Sequence, residues 1–326
     1  MDTINWGILS TAKIGIEKVI PAIQQAENCT VKAIASRSKE KADSAAQKLG
    51  IPHSYSSYEM LFDDHSINAI YNPLPNHLHV PQTLTALEAG KHVLCEKPIA
   101  LNSQEAQKLR QKASTYPNLK VMEAFMYRFH PQWKKAKSLV SDGEIGILKT
   151  VNSFFSYDNR DPDNIRNKPE MGGGGLMDIG CYCISLSRFL FNEEPTNISG
   201  YWKIDPNFET DYLASGTLEF DSGTATFSCA TQTVAHQQVT IVGTEGRIVI
   251  EIPFNAPPDQ ATRIWLFKNE DKQEITFPAV NQYTLQAEAF SDAVINNEPV
   301  PIPLTDAMNN IAAIDTFRKR AKSSSN

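Results

Sequence analysis

The sequence predicts an α/β protein in two parts. An N-terminal doubly wound parallel sheet comes first, and an α+β domain on a mostly antiparallel sheet follows. Three observations carry this. The chain has 326 residues, enough for about two domains at roughly 150 residues each. Residues 4–122 alternate short β-branched runs with helical spacings, as a parallel sheet covered on both faces requires. Beyond residue 150 the strand-like runs come consecutively, with hairpin punctuation between them, as antiparallel pairing requires.

Each element has its own signal. Ile4 to Leu9 is the opening strand. Residues 14 to 26 carry helical spacing through Ile14, Val19, Ile20 and Ile23. Pro21 lacks the amide hydrogen that a continuous helix would use, so that helix should kink or restart there. Thr30 to Ala35 is a strand. Lys39 to Leu49 is a helix closed by Gly50. Ala69 to Asn72 is a strand stopped by Pro73 and Pro75. Val80 to Ala89 is helical, His92 to Cys95 a strand, Ser103 to Tyr116 a helix and Lys120 to Met122 a strand. In the second part the strands are Thr150 to Tyr157, Ile198 to Ile204, Tyr212 to Phe220, Thr224 to Thr233, Gln237 to Val242, Gly246 to Ile252, Ala261 to Phe267 and Gln273 to Phe277. Helices from Tyr283 to Asn296 and from Thr305 to Ala321 close the chain. The expected division is 1–122, 123–322 and a disordered tail at 323–326.

Composition removes several function classes. Lys plus Arg is 31 against 37 for Asp plus Glu, a formal charge of −6. That mild acidity lacks the basic stripe of a nucleic-acid binder. No apolar run reaches the roughly 18 to 20 residues of a membrane span, and no basic segment leads a long apolar one. Cys29, Cys95, Cys181, Cys183 and Cys229 are scattered without CxxC pairs. Reduced thiols and a cytoplasmic location are the expectation. His77 and His79 form an HxH pair with no cysteine or carboxylate cluster beside it, so no metal is expected.

The turn after the first strand reads Ser10-Thr11-Ala12-Lys13-Ile14-Gly15. Set on the dinucleotide fingerprint GxGxxG, two glycines are replaced. Ser10 and Ala12 are still small enough for close backbone approach, and a helix N-terminus follows with unpaired amides for a pyrophosphate. A plain strand–turn–helix reads the same way. After the second strand comes Ser36-Arg37-Ser38, where an NAD enzyme tends to carry Asp or Glu for the ribose hydroxyl. A guanidinium flanked by hydroxyls suits a 2′-phosphate instead. The expected cofactor is NADP; the bland reading of Arg37 is a solvated surface arginine.

Glu96-Lys97-Pro98 follows a parallel strand at its C-terminal end, where open α/β sheets bind ligands. A lysine there can orient a hydroxyl and stabilise a developing oxyanion. Farther on, the four glycines Gly172 to Gly175 permit close backbone approach and introduce a helix from about Leu176. Asp178 and Tyr182 are four residues apart and share one face of it. A nearby cation can lower the tyrosine pKa from about 10 and make Tyr182 a proton shuttle. A core tyrosine is the competing reading. Phe125, Tyr127, Phe129 and Tyr157, with Asp178, Asn159, Arg128 and Arg166, are the expected walls of a pocket that stacks and hydrogen-bonds a ring. Asp158, Asp161, Asp163 and Asp178 are expected to neutralise the two arginines.

Four pieces occur in order: Glu96-Lys97-Pro98, Glu123 to Gln132, Asp163 to Arg166 and Gly174 to Cys183. Together they resemble the Gfo/Idh/MocA oxidoreductases, in the branch of glucose–fructose oxidoreductase, NADP-dependent D-xylose dehydrogenase and dimeric dihydrodiol dehydrogenase. The resemblance runs from about residue 4 to 320. It implies a Rossmann domain, then a domain with a large open sheet, and a homodimer or homotetramer. It implies Lys97 as the active-site lysine, Tyr182 as acid/base and Asp178 as its acidic partner. Asn72, Pro73, Leu74, Asn76, His77 and Glu96 are implied around the nicotinamide and ribose, and Arg128 and Arg166 as pocket arginines. The activity implied is hydride transfer between NADP and a sugar or cyclic polyol, of the aldose 1-dehydrogenase type. The alternatives are a trans-dihydrodiol dehydrogenase, a ketosugar reductase or, in another class, a non-catalytic NADPH sensor.

Overall fold

A computed structural model describes residues 3–324. In chain order its elements begin with β1 (Ile4–Leu9), a π-helical turn Gly15–Val19, α1 (Ile20–Gln25), β2 (Cys29–Ala35), α2 (Lys39–Leu49), β3 (His53–Tyr55) and α3 (Tyr58–Phe62). Then come β4 (Ala69–Asn72), α4 (His79–Glu88), β5 (His92–Cys95), α5 (Ser103–Ala113), β6 (Val121–Glu123), α6 (Pro131–Ser141) and β7 (Leu148–Asp158). A second π-helical turn, Leu176–Gly180, runs into α7 (Cys181–Phe191). The remaining strands are β8 (Asn197–Ile204), β9 (Asp211–Glu219), β10 (Thr224–Ala230), β11 (Gln232–Gly243), β12 (Gly246–Ile250), β13 (Thr262–Lys268) and β14 (Asp271–Phe277). The chain closes with α8 (Gln282–Ile295), α9 (Leu304–Arg320) and β15 (Lys322–Ser324).

Two compact units result. The first holds Met1–Met126 and Asn281–Met308, the second Tyr127–Val280 and Asn309–Asn326. The first unit's sheet is parallel throughout, in the order β3-β2-β1-β4-β5-β6. The chain leaves the sheet's middle at β1, builds outward through β2 and β3, and returns at β4. The reversal opens a crevice at the C-terminal ends of β1 and β4, where this topology binds ligands. Its strands are buried on both faces, as Trp6, Ile8, Ile34, Ile70, Tyr71 and Leu94 show.

The second unit's sheet runs β14-β13-β12-β11-β7-β10-β9-β8-β15. It is mostly antiparallel, but not a simple meander. β7, the first strand made, lies in the middle and pairs antiparallel with β11 and parallel with β10. Val151, Ser153 and Phe155 alternate inward along it beneath α7, while Asn152 faces outward.

The structure departs from the expected elements at three places. Residues 281–308 pack on the first unit, not the second. Phe290 of α8 lies 5.4 Å from the Trp6 ring, Thr284 Oγ donates to Ala22 O at 3.1 Å, and Asn28 Nδ2 donates to Asp292 at 2.7 Å. A helix whose apolar stripe fits a sheet strand made 280 residues earlier carries no sequence sign of that partner. Second, the tail is not wholly disordered, because Lys322–Ser324 pairs parallel with Tyr201–Lys203; 325–326 lie outside the described residues. Third, β3, α3 and α6 were not foreseen, the first two being too short to show a period. The helix after β1 restarts beside Pro21 as the sequence predicts: it begins as a π-helical turn at Gly15 and becomes α-helical at Ile20, with Pro21 in its first turn.

Candidate functional site

The first unit presents the fingerprint positions on the turn between β1 and the following helix. Ser10 sits at φ 66°, the left-handed region that the fingerprint normally gives to glycine. Its amide extends the ladder by donating to Ala35 O at 2.8 Å, and its Oγ accepts from the Ala12 amide at 3.2 Å. The serine thus meets the turn's geometry with a side-chain bond that glycine would lack. A methyl built on Gly15 would come no closer than 3.7 Å to Tyr71, so protein packing does not hold that position small. Thr11, Lys13 and Ile14 complete the turn, with exposed Lys13 4.0 Å from Glu17.

At the end of β2, Ser36 is buried and Arg37 exposed. Ser36 Oγ accepts from the Ser38 amide at 3.2 Å, and Ser38 caps α2 by accepting from Lys41 N at 3.3 Å. Arg37 stands beside the Tyr58 hydroxyl, whose pKa burial raises against the pull of that guanidinium. Lys39 contacts Asp43 and Ser54, so it belongs to the helix face and not to a phosphate site.

Beyond β4 and β5 the backbone is tied down. Asn72 is fully buried. Its Nδ2 donates to His79 O at 3.1 Å and Thr83 Oγ at 3.3 Å, and its Oδ1 accepts from Leu74 N at 3.3 Å. This shapes the loop Pro73–His77, on which the Nδ1 of His77 is shielded with no protein partner. Glu96 accepts from the Tyr71 hydroxyl at 2.7 Å; burial first, then the Glu96 charge, push the Tyr71 pKa well up. The turn through Lys97, joined to Pro98 by a cis bond, is gripped from two sides. Ile99 N donates to buried Glu123 Oε1 at 2.7 Å. The His79 ring lies between Pro98 O, 2.7 Å from Nδ1, and Leu74 O, 2.6 Å from Nε2. Carbonyls only accept, so both bonds together need the charged ring, whereas burial pulls its pKa down to about 4. These groups fit a dinucleotide: small residues on the turn at Ser10 and Ala12, a shielded nitrogen at His77 and an exposed arginine after β2.

The second unit gathers the other expected residues. The Tyr157 hydroxyl donates to Asp178 Oδ2 at 2.5 Å, and Arg166 Nε lies 2.9 Å from the same oxygen. The Asp178 charge pushes the Arg166 pKa further up. Burial, then that charge, raises Tyr157. Tyr182 is buried, its ring among Phe254 at 5.3 Å and Phe155 and Tyr127 at 5.8 Å. A cavity of about 440 Å³ adjoins this cluster, sharing Tyr157 and lined also by Phe155, His236, Gln237, Glu251 and Asn255. That falls in the lower part of the range for small-molecule sites.

Three details differ from the expected pocket. Arg128 donates through Nη2 to Ser185 Oγ at 2.8 Å and lies over the Phe189 ring at 5.1 Å, so it braces α7. Asp158 pairs with Arg160 at 3.0 Å and Asp163 with Lys168 at 3.8 Å, while Asp161 accepts from the Asp163 amide at 2.9 Å; Asp178 is the carboxylate on Arg166. Asn159 bonds Thr231 and Asp161 through its own loop. Sequence reasoning missed His79, Glu123, Phe254 and Asp211. Only Glu123 had a signal, a carboxylate in an otherwise apolar stretch at a strand end.

All five cysteines are buried free thiols. Among the described residues no group of three His, Cys, Asp or Glu is placed to hold a metal, and no helix is long and apolar enough to cross a membrane.

The glycine run is required where it stands. Gly174 has φ 112°, and a Cβ there would lie 2.1 Å from Asp211 Oδ1. Gly174→Ala is expected to lose about 1–3 kcal/mol from backbone strain alone, with the clash in addition. A thermal midpoint within one degree of the wild type would refute this.

Residues 4–125 match the family model described as oxidoreductase family, NAD-binding Rossmann fold. Residues 133–249 match the GFO/IDH/MocA C-terminal domain. An uncharacterized oxidoreductase, ORF334, of Rhizobium meliloti is 40% identical over 99% of this chain and 98% of its own. D-xylose 1-dehydrogenase (NADP(+)) 2 of Haloferax volcanii is 36% identical over 97% of each chain. The crystal structure of KijD10, a 3-ketoreductase of Actinomadura kijaniata with NADP and TDP-benzene, superposes with a TM-score of 0.93 at 25% identity, covering 99% of each chain.

Proposed function

Because this chain belongs to the Gfo/Idh/MocA oxidoreductases, we propose that it uses NADP and acts on a neutral, hydroxyl-rich ring, a sugar or cyclic polyol. The observation that carries the substrate reading is the Tyr157–Asp178–Arg166 cluster. Its one arginine is already matched by a carboxylate at 2.9 Å, so an added substrate anion would face Asp178 as well as Arg166. Neutral hydroxyls face no such conflict, and the aromatic and amide walls of the adjoining cavity stack and hydrogen-bond a ring. The 36% identity to an NADP-dependent D-xylose dehydrogenase supports the cofactor and makes an aldose the first substrate to try.

Ser10 to Ile14, Ser36 and Arg37 hold the phosphates in this reading, and Asn72 to Leu74, Asn76, His77 and Glu96 line the nicotinamide end. NADP supplies the hydride acceptor when bound. Tyr182 takes or returns the proton of the substrate hydroxyl, and Lys97 polarises that oxygen and holds the tyrosine's proton equilibrium. Asp178, held by Tyr157 and Arg166, orients a neighbouring hydroxyl.

The test is a steady-state comparison of xylose, glucose, glucuronate and glucose 6-phosphate with NADP, followed by NADPH absorbance. Xylose or glucose should give the highest kcat/KM. Efficiency at least about ten-fold higher for either anionic sugar would overturn the neutral-ring reading and make Arg166 a charge clamp. The similarity to a 3-ketoreductase favours a second reading, reduction of a ketosugar as the working direction; the same sugars, oxidised chemically to ketones, test it with NADPH.

A further inference from the structure

We propose that Asp211 is a positioning residue, a carboxylate that caps from another strand the helix carrying Asp178 and Tyr182. The inference rests on the roles proposed for those two residues.

A helix begins with four amides that lack intrahelical partners, and Ser, Thr, Asp or Asn usually supplies a local acceptor. The helix from Leu176 has none, because Gly172 to Gly175 precede it and no local side chain caps it. Asp211, the first residue of β9 and buried, fills that place. Its Oδ2 accepts from the Leu176 amide at 2.6 Å. A Cβ on Gly174 would lie 2.1 Å from its Oδ1, and one on Gly175 3.4 Å from its Oδ2. The glycines therefore let the backbone close around this carboxylate.

Burial pushes the Asp211 carboxyl up to about 6, opposed first by the Leu176 amide and then by Arg318 of α9; the buried thiol of Cys229 on β10 faces the same space. The amide bonds and the positive end of the helix dipole favour the anion. The cap fixes where the π-helical turn begins and so the angle at which Asp178, two residues on, and Tyr182, six residues on, leave the helix. An error of about 1 Å in such placement can cost on the order of 10²-fold in rate.

The experiment compares Asp211→Asn, Asp211→Ser and Asp211→Ala in the full chain. Asparagine keeps an oxygen acceptor of the same reach, serine a shorter one and alanine none. The expected order of kcat is wild type and Asn, then Ser, then Ala, with Ala lower by about ten-fold or more and KM for NADP within about two-fold throughout. Hydrogen exchange of the 176–182 amides should quicken in the same order. If Ala does not fold, the Asn and Ser variants carry the comparison. Unchanged kcat in Ala, or equal loss in Asn and Ala, overturns the inference. Whether Tyr182 does the chemistry is read separately from Tyr182→Phe, in which exchange at 176–182 should stay as in the wild type.

Discussion

Lys97→Met and Tyr182→Phe should each lower kcat by roughly the 10²–10⁴-fold typical of general acid–base groups, leaving NADP affinity within a few-fold. Lys97 sits on a turn fixed by Glu123, Glu96 and His79, and a side chain on so restrained a backbone is suited to directing one charge at one atom. Tyr182 is held by three aromatic rings on a helix whose start is pinned. If the two share one proton, they act as a unit, and the double variant should be scarcely slower than the slower single one. Pre-steady-state measurement of the hydride step separates this from slow product release. Near-normal turnover of Tyr182→Phe would reduce the tyrosine to packing against Phe254 and Phe155, and Asp178 would become the leading proton acceptor.

Arg37→Asp should cost NADP affinity while NAD gains or holds. A charge-assisted contact to a phosphate is worth about 1.5–3 kcal/mol, or roughly ten- to a hundred-fold in Kd. The aspartate would also supply the acceptor that a free ribose hydroxyl needs. The structure narrows the test to Arg37. Lys39 is engaged with Asp43 and Ser54, and Ser38 is the cap of α2, so neither replaces the lost guanidinium. Lys39→Ala should therefore leave the preference unchanged. Equal affinity of the wild type for NADP and NAD, measured by fluorescence titration, would sink the assignment of Arg37 to the 2′-phosphate.

Local chemistry was legible from the sequence alone. Residue order in β1, β4 and β5 carried the apolar density of strands buried on both faces, and Gly50 marked its helix end in the left-handed conformation it adopts. The pieces around Lys97 and Tyr182 were legible because each concentrates chemistry-bearing residues in a short run, although the partners that hold that turn and that helix start come from elsewhere in the chain. Their order along the chain, not any single motif, carried the family.

Tertiary structure decided what joins residues distant in sequence. The insertion of β7 between β10 and β11 brings Tyr157 to Asp178. The return of Asn281–Met308 to the first unit follows from an apolar helix face finding Trp6. Which carboxylate neutralises Arg166 was undetermined among four aspartates, since charge falls off with distance in space and spacing along a loop does not fix that distance; the fold selects Asp178. Asp211 left no mark in the sequence, because a cap delivered from another strand obeys no local spacing rule. Its bond to Leu176 exists only once β9 has taken its register beside β10.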